Sequence, residues 1–350
     1  MKKTLLLPVL LSASALALAG CASSGGAAAG DDGAPEQLSV VATTTQVADF
    51  TRQVAGDAAS VTQLIQPNQS AHTYDPSAAD LAALGSADVL VINGAGLEEW
   101  LDDAITASGF SGTTIDASTG IELSDEAAGD EHAEDDHAED EHADEPAGEE
   151  HAEDEHAHEG GNPHIWTDPK RAQQMVQNIE TGLVEADAAA STDFETNATA
   201  YEAKLGELDD WIRSNVDQVP AADRLLVSNH DAFTYFVDAY GITYVGSVIP
   251  SFDDNAEPSA AEIDELVAKI KETGVKAVFS EASISPKAAD TIAAEAGVTV
   301  YSGDEALYGD SLGPEGSDGA TYLTSQIHNA TVIVESWGAT PSAVPADLED

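Results

Sequence analysis

The chain has one cysteine, Cys21, in 350 residues. A single thiol excludes a disulfide framework and any metal site built on several thiolates. Cations are nearly as scarce, with 12 Lys and Arg against 65 Asp and Glu and a formal net charge of −53. A surface of that sign repels phosphate backbones, which excludes nucleic acid as a partner. Beyond the first twenty residues no apolar run reads as transmembrane. The chain also lacks a His-Glu-x-x-His helix and a Gly-x-Ser-x-Gly turn, so two common hydrolase signatures are missing and no enzymatic activity is expected.

What is present begins with a secretory signal. Lys2 and Lys3 supply the positive start, and the apolar stretch Leu5 to Leu18 is too short for a stable membrane span. It ends Leu18-Ala19-Gly20-Cys21, which resembles the bacterial lipobox whose cysteine is acylated and becomes the mature N-terminus. Residues 1–21 are therefore expected to be a lipoprotein signal with Cys21 as the lipidation site. Residues 22–37, small and Gly/Ala-rich, form a flexible tether. The protein is expected outside the cytoplasm, held to the membrane by lipid.

From Leu38 onward short apolar runs alternate with helical periods, the signature of α/β lobes with mainly parallel sheets. Residues 38–190 are assigned to an N-terminal lobe. In it a helix is expected to open at Asp75-Pro76 and another over Gly96–Thr106. Within this lobe, 124–160 carries 18 Asp/Glu and no Lys or Arg. It has almost no large apolar residue and is expected to be disordered when unbound. His132, His137, His142, His151, His156 and His158 lie among these carboxylates, a mixture suited to accessory capture of borderline divalent ions such as zinc. After it, Asp168-Pro169 starts a helix expected over 169–190. Apolar residues recurring every three or four positions predict a long linking helix over 191–219. Residues 220–350, again alternating βα, form a C-terminal lobe that repeats the architecture of the first.

In open α/β sheets ligands bind beyond the carboxyl ends of the strands. His72 and His230 are expected in loops that follow strands, Asp310 in the loop after the last strand, and His164 at the entry to its helix. Three imidazoles and a carboxylate make a closed four-coordinate set suited to Zn²⁺. Pattern alone neither selects Asp310 among so many acids nor excludes His328, which the periodicity places on the surface of the last helix.

The segments HTYDPS, GAGLEEWL, NPHIWTDP, SNHDAFTYFVDAYGI, VFSEASISPKAA and YGDSLGPEGSDGATYL resemble, in this order, the metal-binding lipoproteins of ABC importers. These are the cluster A-I solute-binding proteins of the zinc and manganese (ZnuA/TroA) type. The resemblance runs from Leu38 to Trp337. It implies two βα lobes joined by a rigid long helix with the metal between them, and ligands at His72, His164, His230 and Asp310. Manganese-type members place Glu at the third of these positions, and His230 there favours zinc. The resemblance departs at a second-lobe disulfide found in some zinc-type relatives, and in a tract here dominated by acids. Its implied partners are a membrane permease and a cytoplasmic ATPase, with a monomer delivering Zn²⁺. The alternatives are a manganese (Mn²⁺) carrier and a surface metal buffer or adhesin working through 124–160.

Overall fold

A computed structural model describes residues 37–124 and 161–348. Cys21 and the six histidines of the acidic tract lie outside the described residues. The first lobe is a four-stranded parallel sheet: β1 (Leu38–Ala42), β2 (Ala59–Gln63), β3 (Val89–Ile92) and β4 (Thr113–Asp116), in the order β2-β1-β3-β4. Side chains alternate between its two covered faces, so the strands are apolar on both. Val40, Ala42, Val89 and Val91 face the main core, while Val41 and Leu90 face a smaller cluster with Leu84, Leu101 and Ala104. Helix α1 (Thr45–Ala55) packs into the main core; α2 (Ala78–Gly85) and α3 (Leu101–Ser108) supply the other face. The order reverses between β1 and β3, which opens a crevice at their carboxyl ends.

Helices α4 (Pro169–Ala186) and α5 (Ser191–Val216) follow. Asp168 caps α4 through Lys170 N, with Pro169 at the first helical position. The second lobe then pairs β5 (Leu225–His230) with β6 (Thr243–Ile249) and β7 (Ala277–Phe279) with β8 (Thr299–Tyr301), all in parallel. Its helices are α6 (Thr234–Tyr240), α7 (Ala260–Thr273), α8 (Lys287–Ala296) and α9 (Tyr322–Ser336). The βα alternation of the first lobe recurs. Its single four-stranded sheet does not: among the described residues the second-lobe strands pair two by two, supplemented by one bridge between Glu281 and Leu307.

The 26 residues of α5 reach about 39 Å at 1.5 Å per residue. Phe194, Ala198, Tyr201, Leu205, Leu208 and Ile212 are buried along one face. That stripe touches α1 and α4 on the first-lobe side and α9 on the second. One apolar core runs from Val40 through Leu205 to Phe236 and Ile333, so the lobes share it.

Several expected boundaries move, each for a local reason. The helix expected at Asp75-Pro76 starts at Ala78, because Ser77 and Asp80 form a reciprocal capping box. The helix expected from Gly96 starts at Leu101, because Gly94, Ala95 and Gly96 have φ of 77°, 55° and 78° and cannot be helical. His230, expected in a loop, is the last residue of β5, because parallel pairing continues as far as His230 opposite Ile249. His328 is not a free surface group: it is half-buried on α9, with Nε2 2.9 Å from Ala306 O.

Leu205 is fully buried midway along α5. Leu205→Ala is expected to lower unfolding stability by about 2–5 kcal/mol, measured by urea denaturation with the slope unchanged.

Candidate metal centre

Four side chains from four separate segments meet in the crevice between the lobes. His72 comes from the loop after β2, His164 from the turn before α4, His230 from the end of β5 and Asp310 from the loop after β8. His164 Nε2 lies 3.2 Å from both His72 Nε2 and His230 Nε2. Asp310 Oδ1 is 3.1 Å from His164 Nε2 and 3.3 Å from His230 Nε2, and Asp310 Oδ2 is 3.4 Å from His72 Nε2. All four side chains are nearly sealed, with 4% exposure at His72 and 0% at the other three. The six accessory histidines of the tract lie outside the described residues, and His328 hydrogen-bonds elsewhere.

Two of the imidazoles are held from behind, which fixes the nitrogen they present. His164 Nδ1 lies 2.7 Å from Asn162 Oδ1. The Asn162 orientation is set by its amide nitrogen, which donates to Asp231 O at 3.0 Å and Thr234 Oγ1 at 2.9 Å. Its oxygen must then accept, so His164 Nδ1 carries the proton and Nε2 presents a lone pair. His230 Nδ1 lies 2.7 Å from Glu281 Oε1, which also accepts from His230 N at 3.2 Å. A carboxylate behind the ring fixes its tautomer and raises its basicity as a ligand. Gly309 makes room for this arrangement, since a Cβ there would stand 2.0 Å from Glu281 Oε2. Gly309 O accepts from Gln46 Nε2 at 3.0 Å and from Trp166 Nε1 at 3.1 Å, which anchors the segment that carries Asp310.

Neither oxygen of Asp310 has a conventional hydrogen-bond donor, although both are buried. Two buried carboxylate oxygens facing three imidazole nitrogens are costly unless protons or a metal cation sit among them. The spacing fits one. A tetrahedral ion with ligands at 2.0–2.1 Å has ligand–ligand edges of about 3.3–3.4 Å; four edges among the Nε2 atoms and Asp310 Oδ1 measure 3.1–3.3 Å, and one donor atom from each residue lies within 4.8 Å of the others.

The titration of the site follows from its burial and charge. Burial holds His164 down to about 4, against the pull of Asp310. Burial acts the same way on His230, but the Glu281 and Asp310 carboxylates outweigh it and raise His230 well above the usual imidazole range. His72 is raised as well, because Asp310 overcomes its burial. Burial works against the ionised form of Asp310, yet the three imidazoles hold it well below the ordinary carboxylate value.

Comparison with known proteins decides the family: residues 40–336 match the zinc-uptake complex component A, periplasmic (ZnuA). The chain belongs to the ZnuA family. The manganese-binding lipoprotein MntA of Bacillus subtilis is 31% identical over 323 residues, covering 91% of this chain and 95% of MntA. The high-affinity zinc uptake system protein ZnuA of the same organism is 33% identical over 267 residues, covering 76% and 77%. The periplasmic zinc-binding protein TroA of Treponema pallidum superposes with a TM-score of 0.73 at 25% identity, over 86% of this chain and 99% of TroA. Members of the ZnuA family are metal-binding components of ABC importers and not enzymes. The two-lobed α/β fold is that of TroA.

Sequence reasoning missed Asn162 and Glu281. Asn162 carried a signal, standing two residues before His164 and ahead of a proline. Glu281 carried only its place in the family-like segment VFSEASISPKAA, which does not reveal its partner His230.

Two outcomes follow. Glu281→Gln is expected to weaken metal binding by about 10–100-fold, and Gly309→Ala, which displaces the same carboxylate, to weaken it in the same direction, both read by chelator competition. Raised histidine pKa values mean that a divalent ion must displace protons already near neutral pH. Uptake at pH 7 is expected to release protons, measured by calorimetry in buffers of different ionisation heat. Affinity should fall as pH is lowered through the raised titration ranges of His72 and His230, because protons then compete for the nitrogens the ion needs.

Proposed function

We propose that this ZnuA-family chain is an extracytoplasmic zinc carrier, anchored by lipid on Cys21, that passes Zn²⁺ to a membrane permease driven by a cytoplasmic ATPase. His72, His164, His230 and Asp310 are the ligands in this reading. The observation that carries it is the donor set. Three imidazole nitrogens and one carboxylate oxygen converge within 4.8 Å of one another in a site nearly closed to solvent. Zinc accepts four ligands of this kind without a preferred geometry of its own, and imidazole suits it better than it suits manganese. Manganese is better served by more oxygen donors and water, for which a sealed four-ligand pocket leaves little room.

Manganese is the second reading, favoured by the long match to a relative named as manganese-binding. A surface buffer or adhesin would depend instead on the tract 124–160. In the zinc reading that tract, with His132, His137, His142, His151, His156 and His158, is an accessory collector.

Competitive titration of zinc against manganese on the chain without residues 1–21 separates these readings. One tight zinc site is expected to survive deletion of 124–160, to resist excess manganese and to weaken in His230→Glu. Manganese prevailing in the intact protein would establish the second reading, and loss of the tight site with the tract would move function there.

A further inference from the structure

The turn before His164 is fastened on two sides. Asn162 ties it to the second lobe through Asp231, Thr234 and Tyr235, whose hydroxyl donates to Asn162 O at 2.6 Å. On the first-lobe side, Asn93 Nδ2 donates to Pro163 O at 3.1 Å, one residue before His164. Asn93 is fully buried at the end of β3, at the point where the strand order reverses. Its own side-chain oxygen has no hydrogen-bond partner. A buried amide left half-satisfied is unfavourable, so the value of this residue lies in where its nitrogen points.

Asn93 is held in turn by Glu98. This carboxylate is 8% exposed, and none of the ion pairs among the described residues includes it. It accepts three hydrogen bonds: from Thr43 Oγ1 at 2.6 Å, Asn93 N at 2.7 Å and Gly94 N at 3.1 Å. Thr43 follows β1, and Asn93 and Gly94 follow β3, so the carboxylate clamps both sides of the switch point. The next residues are the left-handed run Gly94-Ala95-Gly96, in which Ala95 has a φ of 55° that a side chain rarely adopts. Ala95 N donates to Ser118 Oγ at 3.1 Å. Every backbone N–H from Asn93 to Ala95 is therefore taken by a side chain, and Glu98 takes two of the three.

We propose that Glu98 is a positioning residue for the metal centre, holding His164 against the first lobe through Asn93 and Pro163. It touches neither the ion nor a ligand. Without it the left-handed turn loses the acceptor that organises it, Asn93 Nδ2 is no longer aimed at Pro163, and the His164 turn loses its side-chain tie to the end of β3. His164 Nε2 lies within 3.2 Å of all three other donors, so a small shift of its ring loosens the entire set. The expected consequence is faster release of the ion.

The inference rests on the metal-carrier reading, and the experiment separates the two. Zinc release from the full-length protein into excess chelator is timed by stopped flow for wild type, Glu98→Gln, Asn93→Ala and the double variant. Manganese is the probe if the wild type prefers it. Slow wild-type release tests the carrier reading; the ratios to wild type test Glu98. Each single variant is expected to release the ion about tenfold faster. The double variant should release it no faster than Asn93→Ala alone, while its thermal stability falls below that of either single variant. Multiplying release rates in the double variant, or Glu98→Gln releasing at the wild-type rate, would overturn the proposal. If Glu98→Gln does not fold, Asn93→Ala carries the test: wild-type release from it overturns the route, and tenfold faster release upholds it. The His164 ring ¹⁵N signals of the zinc-loaded protein provide a second readout. They are expected to shift in Glu98→Gln, and a purely structural loss elsewhere would leave them in place.

Discussion

The structure depends on holding one buried carboxylate, Asp310, against three imidazoles without a conventional donor of its own. Such a cluster is unstable unless something compels it, because desolvated charge is expensive. The compulsion comes from outside the cluster. Glu281 holds His230, Asn162 holds His164, and Gly309 O, gripped by Gln46 and Trp166, anchors the chain beside Asp310. The Nε2 atoms face inward, away from water: His164 presents a lone pair there, and His230 must shed a proton before a cation can use its nitrogen.

These supports straddle the crevice. Asn162 reaches into the second lobe, and Gln46 on α1 reaches across to Gly309. Further links run from Asn68 N to Ser311 Oγ at 2.8 Å, from Ser70 Oγ to Asp254 Oδ1 at 2.9 Å and from Tyr322 N to Asp49 Oδ2 at 3.0 Å. They can be made together only if the lobes keep a fixed relation. The shared apolar core and the buried stripe of α5 supply that relation. The long helix thus belongs to the chemistry of the site as much as to the fold.

Proton and metal compete for the same atoms. The carboxylates that make His230 a strong ligand also make it a strong base, so its raised pKa and its affinity for a cation have one cause. His164, with an amide instead of a carboxylate behind it, is held neutral by burial. The three imidazoles are therefore not equivalent: one is ready to bind, and another must first lose its proton.

The α/β class, the long helix and the places of His72 and His164 were legible in the sequence, because apolar periodicity and turn chemistry act over a few residues. Local signals also misplaced some boundaries. Ser77 outcompeted Asp75 as a cap, and a left-handed run after Asn93 delayed α3. Continued pairing with Ile249 drew His230 into β5. Asp310 was singled out by resemblance to a family, not by pattern. Glu281 lies in the family-like segment VFSEASISPKAA, but no local pattern marks it as the partner of His230. Sequence by itself determined which side chains carry donor atoms and which stretches become strands and helices, since both are local properties. Only the tertiary structure decided that His72, His164, His230 and Asp310 share one sealed space, and which nitrogen each supported ring presents. Both depend on hydrogen bonds between residues as far apart as His230 and Glu281, whose separation closes only when the sheets and α5 are packed.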